Sequence, residues 1–175
     1  ANELGVDMIV TDHHNVAPVQ PPAVAVINPK RLLQDYPDAY DGYTLRKQFR
    51  VQDVVDRGGR TVPGSGLYPF LDLAGVGVAF KLVQALQTRL EGLPTGQEKW
   101  LLDLVALGTV CDVVTLVDEN RANVYWGLKV MAKTRRPGLR ALMAVAGVEP
   151  EKLSARSLGF GLGPRMNAAG RLETA

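Results

Sequence analysis

Val6-Asp7-Met8-Ile9-Val10-Thr11-Asp12-His13-His14 is the stretch whose reading decides the fold of this 175-residue chain. The apolar run from Val6 to Val10 reads as one short buried strand that ends in a hydroxyl, a carboxylate and two imidazoles. In α/β domains with parallel strands, polar groups converge in the crevice beyond the carboxyl ends, where they need not be buried unpaired. The only two histidines of the chain stand at such a strand end. Asp12, His13 and His14 are therefore a candidate metal or phosphate site.

Outward from this strand, Pro18, Pro21 and Pro22 forbid regular structure. Ala23 to Ile27 then makes a second apolar β-run, ended by Asn28-Pro29. Residues 31–66 hold six basic and five acidic residues, with Tyr36, Tyr40, Tyr43 and Phe49 among them. With the Asp56-Arg57-Gly58-Gly59 turn, this composition predicts an exposed insertion that ends in a hairpin. Ala79, Leu82, Val83, Leu86 and Leu90 recur at helical spacing, which predicts a helix over 76–90 that Gly92 and Pro94 end. Gly75 and Gly77 lack the third glycine of a dinucleotide loop, so they mark a tight turn into that helix.

Further helices are expected over 97–107, leading into Gly108-Thr109-Val110-Cys111-Asp112-Val113-Val114, over 120–133, and from Pro137 to Ala146 with Gly147 as terminator. The fold class expected is α/β, a parallel sheet flanked by helices.

Composition narrows the function class. With 46% hydrophobic residues the chain can build a core, and no stretch approaches the ~20 apolar residues of a membrane span. Ala1-Asn2-Glu3 carries no secretory signal, and Cys111, alone, forms no internal disulfide, so the cytoplasm is the expected compartment. Residues 1–128 hold 11 Lys/Arg and 15 Asp/Glu, whereas residues 129–175 hold nine Lys/Arg and three Glu. The basic C-terminal quarter suits a phosphate-rich partner or is simply a solvated helix face.

Asp12, His13, His14 and Asp112 are hard or borderline ligands that suit manganese or magnesium, and without a Cys cluster structural zinc is disfavoured. A two-metal site needs several bridging carboxylates, more than this chain offers, so the chain is expected to hold half of one. The bland alternative makes both histidines exposed turn residues and Asp112 a helix cap. Gly159 to Arg171 reads as a glycine-rich loop able to bring backbone N–H groups to an anion. Arg165 and Arg171 would grip phosphate there and Asn167 a phosphate oxygen or a sugar, unless the segment is a mobile connector.

Thr11 to His14, Leu107 to Val114 and Gly163 to Arg171, with Leu73 to Lys81, together resemble the RecJ-type exonuclease family of the DHH phosphoesterase superfamily. The Asp-His-His triplet is common to the superfamily, whereas Gly-Pro-Arg-x-Asn-Ala-Ala-Gly-Arg singles out that branch. Cys111 stands where the family usually has Ala. The resemblance implies a DHH-type parallel sheet and a processive 5′-to-3′ exonuclease on single-stranded DNA, used in repair and recombination. Two divalent cations, Mn2+ or Mg2+, would activate the water. It further implies that His13 and Asp112 ligate one metal, that His14 contacts the scissile phosphate and that Asp12 orients the imidazoles. Arg165, Asn167 and Arg171 would hold the DNA backbone. Single-stranded DNA, a single-stranded-DNA-binding protein and a repair helicase are the implied partners of a monomeric parent.

Family members place two further acidic motifs before this region and partner domains after it. Both ends thus read as cut from a longer protein, a partial domain inactive by itself. Residues 1–150 would be part of the DHH domain, with the 31–66 insertion, and residues 151–175 the glycine/arginine loop and the start of a connection. A phosphodiesterase for oligonucleotides or cyclic dinucleotides, a pyrophosphatase or polyphosphatase, and a non-catalytic scaffold are the alternatives.

Overall fold

The computed structural model describes residues 2–50, 52–56, 58–63 and 66–172. The fold is α/β, with a small parallel sheet and several helices. The chain divides into two compact units, residues 1–78 and 79–175.

In the first unit, β1 (Ile9–Thr11) and β2 (Ala25–Ile27) pair in parallel, Ile9 with Ala25, Val10 with Val26 and Thr11 with Ile27. One further bond at each end, Val24 N–H to the Met8 carbonyl and Asp12 N–H to the Ile27 carbonyl, both 2.9 Å, extends the ladder. The expected buried strand is shorter and wetter than its apolar run, for Val6 and Ile9 are about half exposed. Two strands cannot enclose side chains on both faces.

Asn28 caps a 3-10 turn, Pro29–Arg31, which leads into α1 (Leu32–Asp35). Two hairpins follow, β3 (Tyr40–Asp41) with β4 (Thr44–Leu45) and β5 (Asp53–Val55) with β6 (Thr61–Pro63). The expected turn at 56–59 joins β5 to β6: Asp56 Oδ1 accepts the Gly58 and Arg60 amides, each at 2.9 Å, while Arg57 lies outside the described residues. The expectation of an exposed insertion is half corrected. Tyr36, Ala39, Tyr40 and Leu45 are buried with Leu67 and Leu71, because aromatic area concentrated in so short a segment pays only when it is packed. Burial, with Tyr36 nearby, pushes the Tyr40 hydroxyl up to about 12, and that hydroxyl donates to the Tyr68 carbonyl at 2.8 Å. A second small core of Phe70, Leu73 and Val78 packs with Ile27 of β2. It seats the start of α2 (Gly75–Gln87), the helix expected there.

The second unit is helical: α3 (Leu102–Cys111), α4 (Asp118–Met131), α5 (Pro137–Val145) and α6 (Gly163–Leu172). Its core is Ala106, Leu107, Met131, Leu139, Met143, Leu158 and Leu162. A Cβ on Gly127 of α4 would overlap the Leu102 carbonyl oxygen and the Ala106 Cβ, so α3 and α4 meet backbone to backbone. The buried Asp103 carboxylate accepts from Arg136 Nε at 2.9 Å and from the Thr134 hydroxyl at 3.0 Å, which ties the α4–α5 turn to α3. Pro137 opens α5 and Gly147, at φ +63°, closes it: Val148 N–H reaches the Met143 carbonyl and Gly147 N–H the Ala144 carbonyl.

The expected glycine-rich loop is a correction. Ser157–Leu162 is a π-helical segment that runs directly into α6, so Gly159 to Arg171 is helical and its backbone donors are largely engaged within the helix. The glycines serve close packing: a Cβ would stand 3.3 Å from Val110 at Gly159, 3.2 Å from Val148 at Gly161, and would overlap Cys111 Sγ at Gly163. Among the described residues no helix is long and apolar enough to cross a membrane.

Candidate metal centre

Beyond β1 the chain turns on Asp12. Its Oδ1 accepts the His13 amide at 2.8 Å and the His14 amide at 3.1 Å, an Asx turn that fixes both histidines against the strand end. The same oxygen lies 2.8 Å from His14 Nδ1, so Nε2 is the His14 nitrogen left for a ligand or a phosphate. The two imidazoles are stacked obliquely, their centroids 4.3 Å apart. Partial burial pushes the Asp12 carboxyl up, but the His14 ring and the two backbone amides outweigh it and hold the group below its ordinary value.

Two residues of this bracket escaped the sequence reading. Asn28, at the end of β2, donates from Nδ2 to Asp12 Oδ2 at 3.1 Å and to the His14 carbonyl at 2.9 Å, while its Oδ1 accepts the Lys30 amide. One amide thus ties the ends of both parallel strands together. Gly75, first residue of α2, leaves room for the His13 ring, since a Cβ there would stand 3.1 Å from His13 Cδ2. Asn-Pro after a β-run was the available signal for the first; the second has none without the fold.

In the second unit Asp112 is the residue that caps the C-terminus of α3, its N–H bonded to the Gly108 carbonyl at 2.9 Å. The helix dipole favours a cation at that end. Val113 beyond it stands at φ +58°, a left-handed conformation costing a β-branched residue on the order of 1–3 kcal/mol. The strained turn stops α3 at Asp112, and Gly159 and Gly163 pack against the preceding Val110 and Cys111.

Arg165, Asn167 and Arg171 are exposed on α6. Arg171 Nε donates to Asn167 Oδ1 at 3.3 Å, one helical turn away, and Arg165 donates to the Gly161 carbonyl at 2.7 Å. At about 100° per residue, Arg165 lies roughly 120° around the axis from Arg171. The structure brings Asn167 and Arg171 together and sets Arg165 apart.

The donors present are those manganese or magnesium accepts, imidazole nitrogen and carboxylate oxygen; Asp12 and Asn28 brace the turn that carries the histidines, Asp12 bonding the ring of His14 and the backbone amide of His13. They are too few to close a site: among the described residues no group of three or more His, Cys, Asp or Glu is placed to hold a metal. Removing the bracing amide is expected to matter. Asn28→Ala should lower metal affinity by about 10–100-fold, the usual cost of a residue that orients a metal site from outside. A Mn2+ titration beside a thermal melt checks it, and unchanged affinity would reduce Asn28 to a helix cap.

A model of the DHH family, N-terminal domain, matches residues 1–109. The single-stranded-DNA-specific exonuclease RecJ of Bacillus subtilis is 39% identical over all 175 residues, and that of Escherichia coli 40% identical over 99% of the chain. The chain spans only 17% and 26% of those two proteins. Among solved structures, an exonuclease RecJ bound to manganese matches 98% of this chain and 34% of its own, with a TM-score of 0.65 at 34% identity. RecJ of Thermus thermophilus in complex with Mn2+ matches 97% of this chain and 20% of its own, with a TM-score of 0.64. With the Asp-His-His bracket at a parallel strand end and a family model fitted across it, the chain belongs to the DHH family.

Proposed function

We propose that this chain is the part of a RecJ-like, metal-dependent exonuclease that carries the Asp-His-His bracket, and that the whole enzyme removes nucleotides from the 5′ end of single-stranded DNA. The observation that carries the reading is the Asp12–His14–Asn28 bracket, in a chain similar along its length to exonucleases crystallised with manganese. His13 and Asp112 would each give a ligand to Mn2+ or Mg2+, of which a complete site takes two. When bound, the cations activate the attacking water and neutralise phosphate charge. His14 would contact the scissile phosphate through Nε2 when that nitrogen carries a proton, and Asp12, accepting from Nδ1, would orient the ring for it. Residues 1–175 alone would be inactive, for want of bridging carboxylates.

Arg165, Asn167 and Arg171 would steady the DNA backbone from α6, exchanging their helix-internal bonds for phosphate. Arg165→Ala or Arg171→Ala in the whole enzyme is expected to weaken strand binding and reduce the slope of log affinity against log salt by about one. Unchanged binding across salt would assign both to the helix. We place the enzyme in the cytoplasm as a monomer acting with a single-stranded-DNA-binding protein and a repair helicase.

The reading is tested with strands labelled at either end. Mononucleotides released from the 5′ end of single strands support it. Hydrolysis of cyclic dinucleotides or pyrophosphate in their place would favour another DHH phosphoesterase.

A further inference from the structure

The helix α4 has a face that the proposed metal centre does not use. Asn120, Asn123, Val124, Gly127 and Met131 are buried, while Arg121, Tyr125, Trp126, Lys129 and, just beyond the helix, Lys133 are exposed. Tyr125 and Trp126 are 53% and 54% exposed, edge to face with centroids 5.1 Å apart. Lys129 Nζ lies 4.3 Å from the Tyr125 centroid and 4.8 Å from that of Trp126, and donates to the Tyr125 hydroxyl at 2.8 Å. One ammonium therefore pins two large rings as a ledge at the surface. No Asp or Glu occurs from residue 120 to 148, a stretch with six Lys or Arg. Arg136 of that stretch pairs with Asp103, and Asp118 and Glu119 open the helix, so the ledge stands in a region whose net charge is positive rather than free of acids.

We propose that this face of α4 is a docking track for single-stranded nucleic acid, separate from the residues of α6, on which bases stack against Trp126 and Tyr125 while Arg121, Lys129 and Lys133 hold phosphates. Exposed aromatic faces interleaved with cations are what a flexible polyanion with π-faces selects. An acidic protein would use the charge but leave two rings wet. From Arg121 to Lys133 the track rises about 18 Å, the reach of a few nucleotides at the short end of the ~4–16 typical of such sites. The partner chemistry rests on the nuclease reading above, but the track itself needs no metal.

The test uses the 175-residue chain in EDTA, so that binding is read without hydrolysis. The chain has two tryptophans, and Trp100→Phe leaves Trp126 as the reporter. Titration with a dT 12-mer is expected to quench Trp126 fluorescence, and Trp126→Ala to weaken binding, read by anisotropy of labelled strand, at least fivefold. Lys129→Gln, at an exposed position, should weaken it several-fold and covers the case in which the tryptophan variant misfolds. Binding without quenching, affinity unchanged in both variants, or equal quenching by polyglutamate would each overturn the track. Failure of the nuclease reading shows instead as intact quenching here with no release of 5′ nucleotides by the whole enzyme.

Discussion

Gly127→Ala is expected to destabilise the protein by about 3 kcal/mol, the upper end of what overpacking costs. For a chain of this length that is a fall in Tm of about 6–12 °C. The added methyl would meet the Leu102 carbonyl oxygen and the Ala106 Cβ, and neither is the movable end of a side chain. Relief requires α3 and α4, which also carry the buried Val105, Val124 and Met131, to part. Gly138→Ala is the control: it lies in α5 at ordinary φ with nothing within 4 Å of the new Cβ, and should stabilise by up to about 1 kcal/mol through helix propensity. Thermal unfolding followed by circular dichroism checks both. Equal melts for the two variants would remove close helix packing as the reason for glycine at 127.

His13→Ala is expected to lower manganese-dependent digestion by the whole enzyme by more than the hundredfold that an outer-shell loss can cost. His13 sits beside the Asp12 turn with its ring against Gly75. The effect should appear without a matching loss of stability, since His13 belongs to none of the hydrophobic clusters. His14→Ala should also cut turnover, by a different route: its ring is largely exposed and tied to Asp12. If His13→Ala digests strands at the normal rate, His13 is a turn residue and the metal reading fails.

Much of this was legible in the residues. Apolar runs closed by breakers place β1 and β2, because strand ends are written in local chemistry. Pro137 and Gly147 bound α5 for the same reason, each fixing a backbone conformation at its own position. The segment from Gly159 to Arg171 misled, because glycine signals both loose loops and close contacts. Which it means here depends on Val110, Cys111 and Val148, neighbours from elsewhere in the chain. The region from Tyr36 to Leu45 misled similarly, since its charges read as surface while its aromatics are buried against Leu67 and Leu71. In the site, the triplet itself was visible, but Asn28 and Gly75 gain their roles only when β2 and α2 come up against it.

Metal binding measures directly the proposed division of labour between His13 and His14. Titrating Mn2+ into the whole enzyme and following the free-ion signal by electron paramagnetic resonance should show affinity lost in His13→Ala and kept in His14→Ala. Equal loss in both variants, or none in either, would contradict it.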